Sequence, residues 1–71
     1  MKVSYNGLWK VLIDNNMNKK DLRERVELSP ATVAKMTKGE FVSMEVLYRI
    51  CIELDVDFKD IIAMGKEEEN K

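Results

Sequence analysis

NKKDLRERVELSPATVAKMTKG, residues 18–39, is the stretch whose reading decides the fold. It divides at Glu27-Leu28 into two segments that each carry their own helix signals. The second opens with Ser29, whose hydroxyl can accept an otherwise unpaired N–H of the first turn. Pro30 follows at the first helical position, where a missing N–H costs nothing. Gly39 adopts a left-handed conformation without strain and so lets this helix, Pro30 to Lys38, end abruptly. With only Glu27 and Leu28 between the two helices, the connection has to be a sharp corner. Leu22, Val26, Leu28, Val33 and Met36 fall at the spacing that two crossed helices need to pack on each other. That packing turns Ala31, Thr32, Lys35 and Lys38 outward. The segment therefore predicts a helix-turn-helix.

Upstream, Asn18 is a good N-cap, and Asp21 three residues later puts an acid beside the positive helix end. Met17, just before the cap, can close on Leu22 as a hydrophobic staple, and the helix runs to about Glu24–Val26. Before it, Leu8, Trp9, Leu12 and Ile13 recur at helical spacing and predict a helix from Tyr5 to Asn15 or Asn16, with Trp9 in the core. Residues 1–4 are expected to be loosely held. Downstream, Glu40, Phe41 and Val42 make a loop, with Val42 and Phe41 over the core edge. Ser43 caps a fourth helix, Met44–Leu54, whose apolar stripe includes Val46-Leu47, Ile50-Cys51 and Leu54. Asp57 caps a fifth, Phe58 to about Met64, ended by Gly65. The expectation is an all-α bundle of five helices with no strand, one domain over residues 1–65, and a charged, disordered tail over 66–71.

Composition narrows the function classes. Seventy-one residues hold one small domain. A chain of this size buries only about 60% of its unfolded surface, so a dimer partner would help it. There is no histidine, no glycine-rich phosphate loop and no metal-ligand spacing, and Asp55/Asp57 read as a helix stop and cap; no catalytic residue, metal site or cofactor is expected. The single cysteine, Cys51, cannot form an internal disulfide and stands between Ile50 and Ile52, as a buried small hydrophobe of a reducing cytoplasm would. No apolar run approaches the ~18 residues of a membrane span, and Met1-Lys2-Val3 leads into a helix rather than a signal peptide. Net charge is −1, but it is unevenly spread. Residues 1–41 hold eight bases against five acids, and residues 42–71 four against eight. A positive half joined to a negative half suits a surface that faces a polyanion.

The order of a leading amphipathic helix, KKDLRERV, EL, SPATVAKMTKG, VSMEVLYRICIELDV and DFKDII resembles the Cro/C1-type (XRE) helix-turn-helix family of bacterial and phage transcriptional regulators over about residues 5–63. The opening YN-x-LWK-x-LID, with Cys51 and DFKDII, is similar to a subgroup of very short, stand-alone members, the VanU-type regulators. Many members carry a small residue where this chain has Arg23 and glycine where it has Glu27. Arg23 would have to carry its stem over the packed helices and free its charge towards a phosphate. A left-handed non-glycine residue at 27 costs roughly 1 kcal/mol.

The resemblance implies a lambda-repressor-like fold and binding to a double-stranded DNA operator, with the second helix of the motif in the major groove. Carried onto this chain, the base-reading residues are Pro30, Ala31, Thr32 and Lys35. Asn18, Lys19, Lys20, Lys38 and the Gly39 backbone would grip phosphates. So thin a reading set implies help from DNA shape and from a homodimer spanning half-sites about 34 Å apart. Tyr48 and Met64 are candidates for its interface, and no small-molecule ligand is implied. The alternative is a protein-interaction module, antitoxin-like or an adaptor, using the bundle and its acidic second half.

Overall fold

The computed structural model describes residues 2–65. Five helices follow in order: α1 Asn6–Asp14, α2 Lys19–Val26, α3 Pro30–Thr37, α4 Met44–Leu54 and α5 Phe58–Ile61. The cap chemistry explains most of these bounds. Asn18 Oδ1 accepts the Asp21 N–H at 2.8 Å while Asp21 Oδ2 accepts the Asn18 N–H at 3.0 Å, a reciprocal capping box. The Ser29 and Ser43 hydroxyls accept the N–H three residues on, from Thr32 and Val46. Asn16, Glu27 and Asp55 turn left-handed, at φ 57°, 61° and 57°, where α1, α2 and α4 stop. Gly39 does so at 77°, just beyond α3.

Among the described residues five large side chains are fully enclosed, and each comes from a different helix: Leu8, Leu22, Met36, Ile50 and Ile61. Burying such a side chain stabilises by about 1.5–3 kcal/mol, so each helix is held mainly by its contribution to a shared centre rather than by its own propensity. Leu12, Val26, Leu28, Leu47 and Cys51 surround them. Two features hold the sharp corner. The Leu28 N–H donates to the Arg23 carbonyl at 2.9 Å. The Arg49 guanidinium donates to the Val26 carbonyl at 2.6 Å, satisfying a carbonyl that the end of α2 leaves free.

Several expectations need correction. The fifth helix is a single turn, and Ile62 is already extended, at φ −139° and ψ 147°. Ala63–Met64 then forms a strand, β2, antiparallel to β1, Val3–Ser4, with Val3 opposite Met64 and Ser4 opposite Ala63. Val3 and Ser4 are therefore paired rather than loosely held. Gly65 is no left-handed stop: its N–H donates to the Lys2 carbonyl at 3.1 Å, and a Cβ there would press on that carbonyl at 2.7 Å. A strand wins here because pairing satisfies backbone groups on both segments, whereas α5 could extend only into exposed Ala63 and Met64. Ile13 and Phe41 point to solvent, 72% and 57% exposed, and Val42 alone covers the core edge of the loop. Trp9 lies half-buried at the core margin rather than within it. The expected tail, residues 66–71, lies outside the described residues.

Candidate nucleic-acid interface

The helix α3 buries Met36 and rests Val33 on the core, with Thr32 half-buried beside them. Ala31, Ala34, Lys35 and Lys38 lie at i, i+3, i+4 and i+7 and are all exposed, so they form one face. Pro30 stands exposed at its start. Thr32 is half-buried, and its hydroxyl lies 3.0 Å from the Ser29 hydroxyl within the cap. Of the four expected base-reading residues, Pro30, Ala31 and Lys35 are thus openly presented, while Thr32 is partly occupied by the cap. Ala34 belongs to the same face. It was missed, although its position three residues after Ala31 was legible in the helical period.

The α2 cations line the flank of this face. Lys19, Lys20 and Arg23 share a groove with Pro30, Val33 and Ala34. Arg23 is half-buried there, in the groove with Pro30, Val33 and Ala34 of α3. Lys19 is held twice over: its Nζ sits 4.4 Å from the Trp9 ring centroid and donates to Thr37 Oγ1 at 3.2 Å. Such a cation over an indole face is worth about 0.5–1 kcal/mol when exposed. Thr37 Oγ1 in turn donates to the Val33 carbonyl at 3.0 Å. Three helices, α1, α2 and α3, are therefore tied at one cationic point. Asn18, at the start of α2, commits its side-chain oxygen to the capping box.

At the other end of α3, Lys38 is exposed and Gly39 half-buried. The loop that follows is anchored by Tyr5, whose hydroxyl donates to the Glu40 carbonyl at 2.7 Å. Burial pushes the Tyr5 phenol above its ordinary value of 10.0, so it stays a donor at neutral pH. The Cys51 thiol is likewise pushed up, first by burial and then by Asp57 and Asp60. It stays protonated and packs as a small apolar group. Among the described residues no group of three or more His, Cys, Asp and Glu side chains could hold a metal ion. No helix among them is long and apolar enough to cross a membrane.

This geometry has known counterparts. A family model described as the Cro/C1-type HTH DNA-binding domain matches residues 7–67. The crystal structure of the transcriptional regulator VanUg, form II, is similar at 53% identity and a TM-score of 0.89, over 93% of this chain and 88% of that one. No curated protein matches the chain.

Proposed function

The chain belongs to the Cro/C1-type helix-turn-helix DNA-binding family, and from that premise we propose how it acts as a transcriptional regulator. It reads a double-stranded operator by laying α3 in the major groove. Pro30, Ala31, Thr32 and Lys35 face base edges: the apolar groups meet thymine methyls, and the Lys35 ammonium donates to guanine O6 or N7. Asn18, Lys19, Lys20, Lys38 and the Gly39 backbone take the flanking phosphates. Arg23 joins them from the α2–α3 groove. The observation that carries this reading is the exposed α3 face of small residues and lysines, bordered by Lys19, Lys20 and Arg23 of α2. The acting unit is residues 1–65, in the cytoplasm, where a lone buried cysteine stays reduced.

A base-reading set with one long polar side chain needs a second half-site, and a second copy of this chain supplies it. The support is a stripe on α4, Met44, Tyr48 and Ile52, 63%, 58% and 65% exposed at i, i+4 and i+8. Glu45 and Arg49 run beside it. Across a two-fold axis at Tyr48 with the α4 helices antiparallel, Met44 of one copy opposes Ile52 of the other, and the reverse, so the apolar stripe is self-complementary.

Fluorescence-anisotropy titration on a fragment carrying the promoter of the chain's own operon, against random DNA and at two salt concentrations, tests the reading. Lys35→Ala is expected to flatten the sequence preference. Lys19→Ala/Lys20→Ala is expected to weaken all DNA alike and to lower the log–log salt slope by about 0.9 per lost phosphate contact. A wild-type protein without preference over random DNA at low salt would overturn it.

A further inference from the structure

We infer that the paired strands β1 and β2 form a strap that presents Lys2 as a further phosphodiester contact, extending the cationic band of α2 past the C-terminal end of α3; this rests on the DNA-binding reading above. The strap is held at three points. β1 pairs with β2, the Gly65 N–H donates to the Lys2 carbonyl at 3.1 Å, and the Val3 N–H donates to the Gly39 carbonyl at 3.1 Å. Gly39 is what permits the last of these. At φ 77° it takes the left-handed turn, and a Cβ there would come within 2.9 Å of the Val3 carbonyl. The Lys2 stem passes over that bare glycine, its Cβ and Cδ lying 3.9 and 3.8 Å from where a Cβ would stand.

The consequence is a cleft lined by Lys2, Asn6, Trp9, Thr37, Lys38 and Gly39. It adjoins the α2–α3 groove through Lys19, which touches both Trp9 and Thr37. Arg23, Lys20 and Lys19, then Lys38 and Lys2, thus form one continuous run of cations along the exposed side of α3. Among the described residues no acid lies within 4.0 Å of the nitrogen of any of them, the ion pairs there being Arg25–Glu53 and Lys59–Asp60. A run of single-sign charge along one edge matches the backbone of a nucleic-acid strand. A free N-terminal arm would lose affinity in being ordered on binding; an arm already paired to β2 avoids that loss. The C-terminal strand therefore bears on DNA affinity without touching DNA.

Untagged wild type, Lys2→Ala, Lys2→Arg and Gly65→Val are compared with Lys35→Ala on operator and random DNA across a salt series, with thermal melts to confirm folding. Lys2→Ala is expected to weaken operator and random DNA by the same factor, on the order of threefold to tenfold at low salt, and to lower the salt slope by about 0.9 per subunit. Lys2→Arg should keep the slope. Gly65→Val, which pushes the Lys2 backbone away while leaving its charge, should reproduce the loss seen with Lys2→Ala. If wild type binds and Lys35→Ala flattens its preference while Lys2→Ala leaves affinity and slope unchanged, the strap is wrong and the reading stands. If wild type binds no DNA, both fall.

Discussion

Glu27 shows how a single residue can be forced by its surroundings. It stands at φ 61° and ψ 49°, closing α2 so that Leu28 can turn into the core. The left-handed region crowds the Cβ of an L-residue against the backbone, at a cost of about 1–2 kcal/mol, of which glycine's greater chain entropy would return part. Glu27→Gly is therefore expected to stabilise the fold by about 0.5–1 kcal/mol, read as a higher urea midpoint at unchanged slope. Gly7 is the opposite case. A Cβ there would collide with the Asp60 carbonyl, because α1 and α5 approach backbone to backbone at that point. Nothing in the residues around Gly7 signals this, since the partner lies at the far end of the chain. Ser29 and Asn18, whose partners are three residues away, are readable without any structure.

Among the elements, α5 depends most on a single cap. It is four residues long, and a helix of that length does not persist on backbone hydrogen bonds alone. Asp60 Oδ2 accepts the Asp57 N–H at 2.9 Å, and Lys59 Nζ lies 3.6 Å from its other oxygen. These contacts, the backbone hydrogen bond first, hold the Asp60 carboxyl below its ordinary value of 3.8. The folded state thus favours the ionised form. The resulting stability is fully present above the unfolded value near pH 4 and is lost as pH falls through the lower folded value. Asp60→Asn should accordingly flatten the fall of the melting temperature below about pH 4, seen by circular dichroism across a pH series, while leaving the fold intact at neutral pH. The same element explains the missed strand. Phe58, Ile61 and Ile62 suit a helical face or an extended segment equally well, and β-branched Ile61-Ile62 does not decide between them.

At the scale of the whole molecule, the proposed DNA-reading and pairing surfaces lie on different helices. α3 and the α2 cations occupy one side, and the exposed Met44–Tyr48–Ile52 stripe lies on α4. Ile52 touches little in the isolated chain, so Ile52→Lys is expected to leave its melting temperature nearly unchanged. It should shift sedimentation from dimer towards monomer and weaken binding to a paired operator by roughly tenfold or more, while sparing a single half-site. A dimeric variant with unchanged operator binding would place the interface elsewhere.

The sequence alone determined what depends on near neighbours: the caps at Asn18, Ser29, Ser43 and Asp57, the left-handed turn at Gly39, and the helical period that selects Leu8, Leu22, Met36 and Ile50 for the core. These interactions act within about one helical turn, so the chain states them in place. From them came the helix-turn-helix and most of the exposed α3 face. Only the tertiary structure decided what two distant segments make together. Val3 meeting Met64, Lys2 crossing Gly39, Lys19 seated on Trp9 and Arg23 sharing a groove with α3 each depend on the angle and distance at which packed helices come to rest. That arrangement follows from the joint filling of one core, and no local stretch specifies it.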